Sequence, residues 1–338
     1  MVTPGSDDPL RVVGVGASAG GVEALKQFVG GLPADLQQAV LVVLHVAPSA
    51  PSVLGQILDR CGPLPAAAAR DGEPVRAGHV YVAVPDRHLL VEDGRIRLSN
   101  GPTEDRHRPA VNPLFRSLAV AYGARATGLV MSGVLDDGVL GLQAIGARGG
   151  TTMVQDPDEA MYADMPRNAL AMTDVHHVVS AAEAGKVLQS LEPDHGTGIA
   201  GAPDPVLELE NEIALGSPFG EFDVARLGTP SGHTCPDCSG SLVSVGDGNL
   251  RCRIGHAWTP EALLEAWTQD TENALGVALR SLLEKAQLAR THARVIHDDV
   301  LRSRYLEIAD EADAAARELR RLLGGTSSRV WGESRGTP

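Results

Sequence analysis

Through the first 190 residues, short runs rich in β-branched side chains alternate with amphipathic stretches, and this alternation constrains the fold more than any single motif. Residues 12–15, 40–46, 80–84, 128–131, 151–154 and 176–179 read as buried strands. Residues 21–29, 52–58, 113–121, 139–147 and 181–191 read as helices between them. Such a pattern predicts an α/β fold, a parallel sheet with helical layers on both faces. Asp93-Gly94, set between alternating apolar positions in 89–98, adds a hairpin outside that sheet.

Beyond this block the composition changes. Residues 191–230 hold five Pro, six Gly and eight acids against one base, Arg226, which reads as an acidic linker in which 206–215 could order against a neighbour. A small Cys/His segment follows over 231–260, then a helical hairpin over 261–323 that breaks near 297–299. Residues 1–10 and 324–338 read as disordered tails. At about 100–200 residues per domain, 338 residues accommodate this organisation.

With 29 basic and 43 acidic residues, the formal charge of −14 would repel phosphate backbones and argues against a nucleic-acid partner. Residues 1–10 contain Asp7 and Asp8 and no apolar signal region. The strongly apolar stretch 39–44 is far shorter than the ~20 residues a bilayer span needs. The expectation is a cytoplasmic protein not embedded in a membrane.

The first strand runs into Gly14-Val-Gly-Ala-Ser18-Ala-Gly-Gly21. As a dinucleotide fingerprint, Gly14-x-Gly16-x-x-Ala19 would want an acid at the end of the next strand; that strand ends in His45. As G-x-S-x-G, the same segment puts Ser18 on a sharp strand-to-helix turn, although a serine there can simply cap the helix. Topology strengthens the nucleophile reading. Ser18 follows strand one, His45 closes strand two, and Asp136-Asp137 follow the strand at 128–131. In a parallel sheet these carboxyl ends share one edge. His45 would take the Ser18 proton and a buried aspartate would hold the imidazole.

Several segments in co-linear order over about 11–190 carry a resemblance: Val12-Val-Gly-Val-Gly-Ala-Ser-Ala-Gly-Gly21, Leu44-His-Val-Ala-Pro-Ser49, Arg108-Pro-Ala-Val-Asn-Pro-Leu-Phe-Arg-Ser117, Met131-Ser-Gly-Val-Leu-Asp-Asp-Gly138 and Gln155-Asp-Pro to Met165-Pro166. This part of the chain resembles the chemotaxis receptor methylesterase family (CheB type). The resemblance implies a serine hydrolase that removes methyl groups from γ-glutamyl methyl esters of chemoreceptors in phosphorelay signalling, opposing a receptor methyltransferase; some relatives also deamidate glutamine. It assigns the nucleophile to Ser18, the base to His45 and the orienting acid to Asp137, with Asp136 a neighbour or cap, and it implies no catalytic cofactor. Two departures stand out. Val134-Leu135 occupies a place where the family commonly has Met-Gly, and only ten residues precede strand one where family members carry a receiver domain. A catalytically weak signalling adaptor on the same fold is the alternative.

Cys235-Pro-Asp-Cys238 and Cys252-Arg-Ile-Gly-His256 give C-x2-C-x13-C-x3-H, with Gly246-Asp-Gly248 as a turn between two short strands. The spacing predicts a zinc-ribbon-like hairpin holding structural Zn²⁺ through Cys235, Cys238, Cys252 and His256, with His233 in reserve. Reduced thiols without metal are the plainer alternative. Cys61 reads as a buried inert thiol, and His88 and His107 as surface loop residues. The apolar spine of the C-terminal helices reads as intramolecular core, with self-association or partner docking as the sharper alternative.

Overall fold

A computed structural model describes residues 10–191, 204–216, 227–246 and 248–330, with side chains through Leu323. Residues 1–9 of the tail expected over 1–10, residues 192–203 and 217–226 of the expected linker, Asp247 of the expected turn and residues 331–338 of the tail expected from 324 lie outside the described residues. The chain divides into two compact units, Met1–Leu263 and Leu264–Pro338.

Strands of the α/β part are β1 (Arg11–Ala17), β2 (Gln38–Leu44), β3 (Ala66–Ala68), β4 (Val80–Val82), β5 (His88–Glu92), β6 (Arg95–Ser99), β7 (Ala126–Val130), β8 (Thr151–Gln155) and β9 (His177–Val179). Its helices are α1 (Gly21–Gly30), α2 (Leu54–Asp59), α3 (Val111–Tyr122), α4 (Val139–Ala147), α5 (Asp164–Met172) and α6 (Ala184–Ser190). Seven strands form one sheet in the order β3-β4-β2-β1-β7-β8-β9, every pairing parallel, while β5 and β6 make the expected separate hairpin. Asp93 and Gly94 both take positive φ at its turn.

Alternation along the central strands builds two cores. Val12, Leu41 and Val43 pack with Leu114, Phe115 and Leu118 of α3; Val13, Val15, Val40 and Val42 pack with Leu25 and Phe28 of α1 and Leu188 of α6. Close approach of α3 to β1 requires Gly16, where a Cβ would lie 2.2 Å from Val111 Cγ1. From β1 the chain first fills the β2 side of the sheet, then returns to the β7 side. The crevice where such an order reverses is where open α/β sheets place their ligands.

The structure differs from the sequence reading at several points. Neither β3 nor α5 is expected: three alanines carry no β-branched signal, and α5 has only Met165 and Ala169 to bury with Pro166 near its start. The stretch read as linker contains helix α7 (Pro205–Leu215), started by the Asp204 carboxylate accepting from Val206 and Leu207 N–H and ended at Gly216. The ordering against a neighbour that the sequence allows for 206–215 is realised: Leu207 joins the α3 core, and Leu209 and Ile213 meet Leu227 and Val245.

Those last residues introduce a small antiparallel sheet, β10 (Gly228–Thr234), β11 (Ser241–Val245), β12 (Asn249–Cys252) and β13 (Ala257–Trp258). It contains the expected hairpin and belongs to the first unit. Helix α8 (Pro260–Ala293) begins there. In the second unit, the remainder of α8 meets α9 (Asp299–Val330), which continues past the expected end at 323. Their shared contact is built from Ala286, Ala289, Ala309 and Ala312, small enough for close approach. Of the expected apolar spine, Ala289 and the partly buried Leu282 take part in this contact, whereas Leu264 and Leu288 are 63% and 71% exposed.

Candidate active site

Ser18, His45 and Asp137 leave the carboxyl ends of β1, β2 and β7, three adjacent strands. Backbone bonds pin the three segments together: Ser18 N–H donates to Ser132 O at 2.9 Å, and His45 N–H to Ala17 O at 3.1 Å. Gly20, at φ +70°, caps the start of α1 and makes the turn behind Ser18. His45 Nδ1 lies 3.1 Å from Ser18 Oγ, and His45 Nε2 lies 2.6 Å from Asp137 Oδ2. The tautomer that satisfies both carries its proton on Nε2, leaving the Nδ1 lone pair to accept from the serine hydroxyl.

Asp137 also accepts from Val111 N–H at 2.6 Å and Asn112 N–H at 2.9 Å, so its carboxylate closes the N-terminus of α3. In return Asn112 Oδ1 accepts from Gly138 and Gly141 N–H at the start of α4. Burial alone would raise the Asp137 pKa; the bond to His45, its charge and the Val111 N–H bring it down to about 2. Asp137 is therefore a fixed anion beside the imidazole at neutral pH.

Two histidines expected on the surface are not there. His88 is fully buried, bonded to Pro102 O at 2.9 Å. His107 packs on the His45 imidazole, with ring centroids 3.7 Å apart, and burial pushes its pKa down to about 4. A neutral ring there adds contact without adding charge. No helical or strand period marks position 107, and only the fold brings it to His45. Cys61 is half-buried instead of buried.

Asp136 turns away from His45 and accepts from Thr259 Oγ1 at 2.7 Å. Burial raises its pKa to about 6 despite that bond. A folded carboxyl with a raised pKa loses stabilisation as pH climbs from its unfolded value of about 3.9 toward 6. Asp136→Asn, which keeps an acceptor oxygen, is expected to gain stability relative to the parent between pH 4 and pH 7, by on the order of 2 kcal/mol in urea unfolding. Equal differences at both pH values would refute this.

The four metal-ligand candidates also converge. Sγ of Cys235, Cys238 and Cys252 and a His256 ring nitrogen all lie within 4.8 Å of one another. Cys238 and Cys252 sulfurs are 3.6 Å apart, and His256 Nδ1 is 3.7 and 3.6 Å from those of Cys235 and Cys252. These are the ~3.7 Å edges of a tetrahedron with metal–sulfur bonds of about 2.3 Å. Trp258 Nε1–H donates to Cys235 Sγ at 3.4 Å, an outer contact suited to a thiolate. His233 is exposed on β10, outside the group.

This small sheet is docked on the α/β part through buried charge. Glu104 pairs with Arg116 of α3 and, at 3.0 Å, with Arg251 of β12; Arg251 also reaches Glu210 of α7 at 3.1 Å. Burial would raise the Glu104 pKa, but the two guanidinium groups hold it below the usual carboxylate range.

A model of the CheB methylesterase family matches residues 13–188. Protein-glutamate methylesterase/protein-glutamine glutaminase 2 of Anaeromyxobacter dehalogenans (strain 2CP-C) is 38% identical over 182 residues, 54% of this chain and 53% of that protein. Its namesake numbered 1 in Myxococcus xanthus (strain DK1622) is 36% identical over 188 residues, 54% of each chain. The chain thus spans about half the length of the curated relatives it matches. The crystal structure of the Thermotoga maritima CheB methylesterase catalytic domain superposes with a TM-score of 0.52 at 26% identity, covering 54% of this chain and 100% of that one.

Proposed function

The chain belongs to the CheB methylesterase family, and from that premise we propose that it hydrolyses γ-glutamyl methyl esters of a chemoreceptor or related signalling protein, opposing a receptor methyltransferase. The observation that carries this reading is the continuous hydrogen-bonded line from Ser18 Oγ through His45 to Asp137. Ser18 Oγ attacks the ester carbonyl while His45 Nδ1 takes its proton. The tetrahedral intermediate collapses, His45 returns the proton to the leaving oxygen, and methanol departs. A water then loses a proton to His45 and attacks the acyl-serine, freeing the glutamate carboxylate and restoring Ser18. The same cycle on glutamine would release ammonia.

Ser132 and Gly133 N–H already donate to Gln155 Oε1 and Tyr162 O, which removes them as oxyanion donors. Ala19, Gly20 and Val134 N–H remain. No described helix is long and apolar enough to cross a membrane, in keeping with action in the cytoplasm. The catalytic domain is assigned to 11–190, followed by α7, the Cys/His sheet and the helical hairpin. The reading is tested by methanol release from methyl-labelled receptor signalling helices, measured for the parent chain and for Ser18→Ala. Equal release from both, or none from the parent, would sink it and leave the adaptor reading.

The Cys235, Cys238, Cys252 and His256 group is assigned to structural Zn²⁺. Four protein ligands leave no open position, so the ion would lock β10–β13 together and take no part in catalysis. Elemental analysis of purified protein is expected to find about one zinc per chain, and Cys235→Ser to lose it and to lower the unfolding midpoint. Metal-free protein with an unchanged midpoint in Cys235→Ser would overturn the assignment.

A further inference from the structure

Leu135 stands at φ +61°, a left-handed conformation that a leucine adopts only when its surroundings hold it there. It lies in the loop from Gly133 to Gly138 that delivers Asp137 to His45. Part of what holds this loop comes from the start of α8, outside residues 13–188. Thr259 Oγ1–H donates to Asp136 Oδ1 at 2.7 Å and is itself 2% exposed as a residue. Asn168 Nδ2 donates both to Leu135 O at 2.9 Å and to Glu261 Oε2 at 3.0 Å. Thr259 is in turn fixed by its own N–H on Asp105 Oδ1 at 2.9 Å, and Asp105 N–H donates to Ala257 O at 2.9 Å.

We propose that Thr259 and Glu261 are positioning residues for the esterase: through Asp136 and through Asn168 on Leu135 O, they hold the strained 134–137 loop in the form that points Asp137 at His45. The inference rests on the esterase reading above and deepens it by making the extension a working part of that site. An alternative duty for Thr259 is only to cap α8, since its Oγ1 also accepts from Ala262 N–H at 3.1 Å. The two duties separate experimentally. A cap acts on α8 whatever residue stands at 135, whereas a clamp is needed because position 135 carries a side chain. Glycine there removes the strain and with it most of the need for a clamp.

The experiment uses the full chain and measures kcat and KM for methanol release together with amide hydrogen exchange over 133–138. Thr259→Val is expected to lower kcat about tenfold with KM nearly unchanged and to speed loop exchange. Thr259→Ser, which keeps the hydroxyl, is expected to match the parent. Adding Leu135→Gly to Thr259→Val is expected to restore most of kcat. Exposed Glu261 provides a second variant that leaves the interior intact: Glu261→Ala is expected to speed loop exchange and lower kcat about threefold. Parental kcat and exchange in both Thr259→Val and Glu261→Ala, or a Thr259→Val defect untouched by Leu135→Gly, would overturn the proposal. A parent without Ser18-dependent turnover would defeat the esterase reading instead, and the exchange measurements would still decide on the clamp.

Discussion

Ser18→Ala is expected to reduce methanol release by on the order of 10⁶ in kcat, with no loss of stability beyond the change of one half-buried hydroxyl. The size follows from the arrangement: with Oγ gone, His45 has no nucleophile to activate, and whatever rate remains comes from binding and oxyanion stabilisation. Asp137→Asn should cost on the order of 10⁴. An amide can donate to the imidazole and favour the tautomer with its proton on Nδ1, the nitrogen that must accept from Ser18 Oγ 3.1 Å away. Asp136→Ala should cost far less, because Asp136 bonds Thr259 and not His45. Circular dichroism with the kinetics separates loss of chemistry from loss of fold. If Asp136→Ala proved more damaging than Asp137→Ala, the assignment within the pair would be reversed.

The parts of this site that were legible in the sequence are those set by strand order. Ser18 and His45 each directly follow a strong apolar strand, and Asp137 closes a Gly-bounded loop after another. A parallel sheet then brings them together without knowledge of side-chain geometry. What escaped reading comes from packing across long separations. Nothing local marks His107 as the neighbour of His45, and Thr259 reaches Asp136 across 123 positions of chain. Helix α7 is a different case, since its signals were present: Asp204-Pro205 at the start and Gly216 at the end are ordinary helix punctuation. The acidic, Pro- and Gly-rich flanks read as linker, and within them 206–215 is open to ordering, which Leu207, Leu209 and Ile213 supply with a buried face. In the C-terminal hairpin the apolar period identifies the helices and, through Leu282 and Ala289, part of their contact, while Ala286, Ala309 and Ala312 carry no signal that separates them from other small residues.

Glu104→Ala is expected to destabilise the first unit by about 3–5 kcal/mol, read as a fall in the urea midpoint. The carboxylate sits 2% exposed between Arg116 and Arg251, themselves 2% and 0% exposed. Removing it strands the Arg116 guanidinium, whose Nε and Nη1 already find no partner among the described residues, and leaves Arg251 with Gly255 O and, as carboxylate partner among the described residues, Glu210. The cost is that of uncompensated buried charge, which is larger than the net worth of the intact network. Glu104→Gln, keeping an oxygen but no charge, should therefore fall between parent and alanine. Replacing Glu104, Arg116 and Arg251 together by apolar residues should cost much less than the sum of the single changes, since no charge is then left buried alone. A Glu104→Ala loss below about 1 kcal/mol would mean that water or a side-chain shift solvates the arginines. The network also bears on catalysis: Glu104 precedes Asp105, which receives Thr259 N–H, and lies three residues before His107 against His45. Loosening it should release the extension from the loop that carries Asp137, so the alanine variant should lose activity at denaturant concentrations where the parent still turns over.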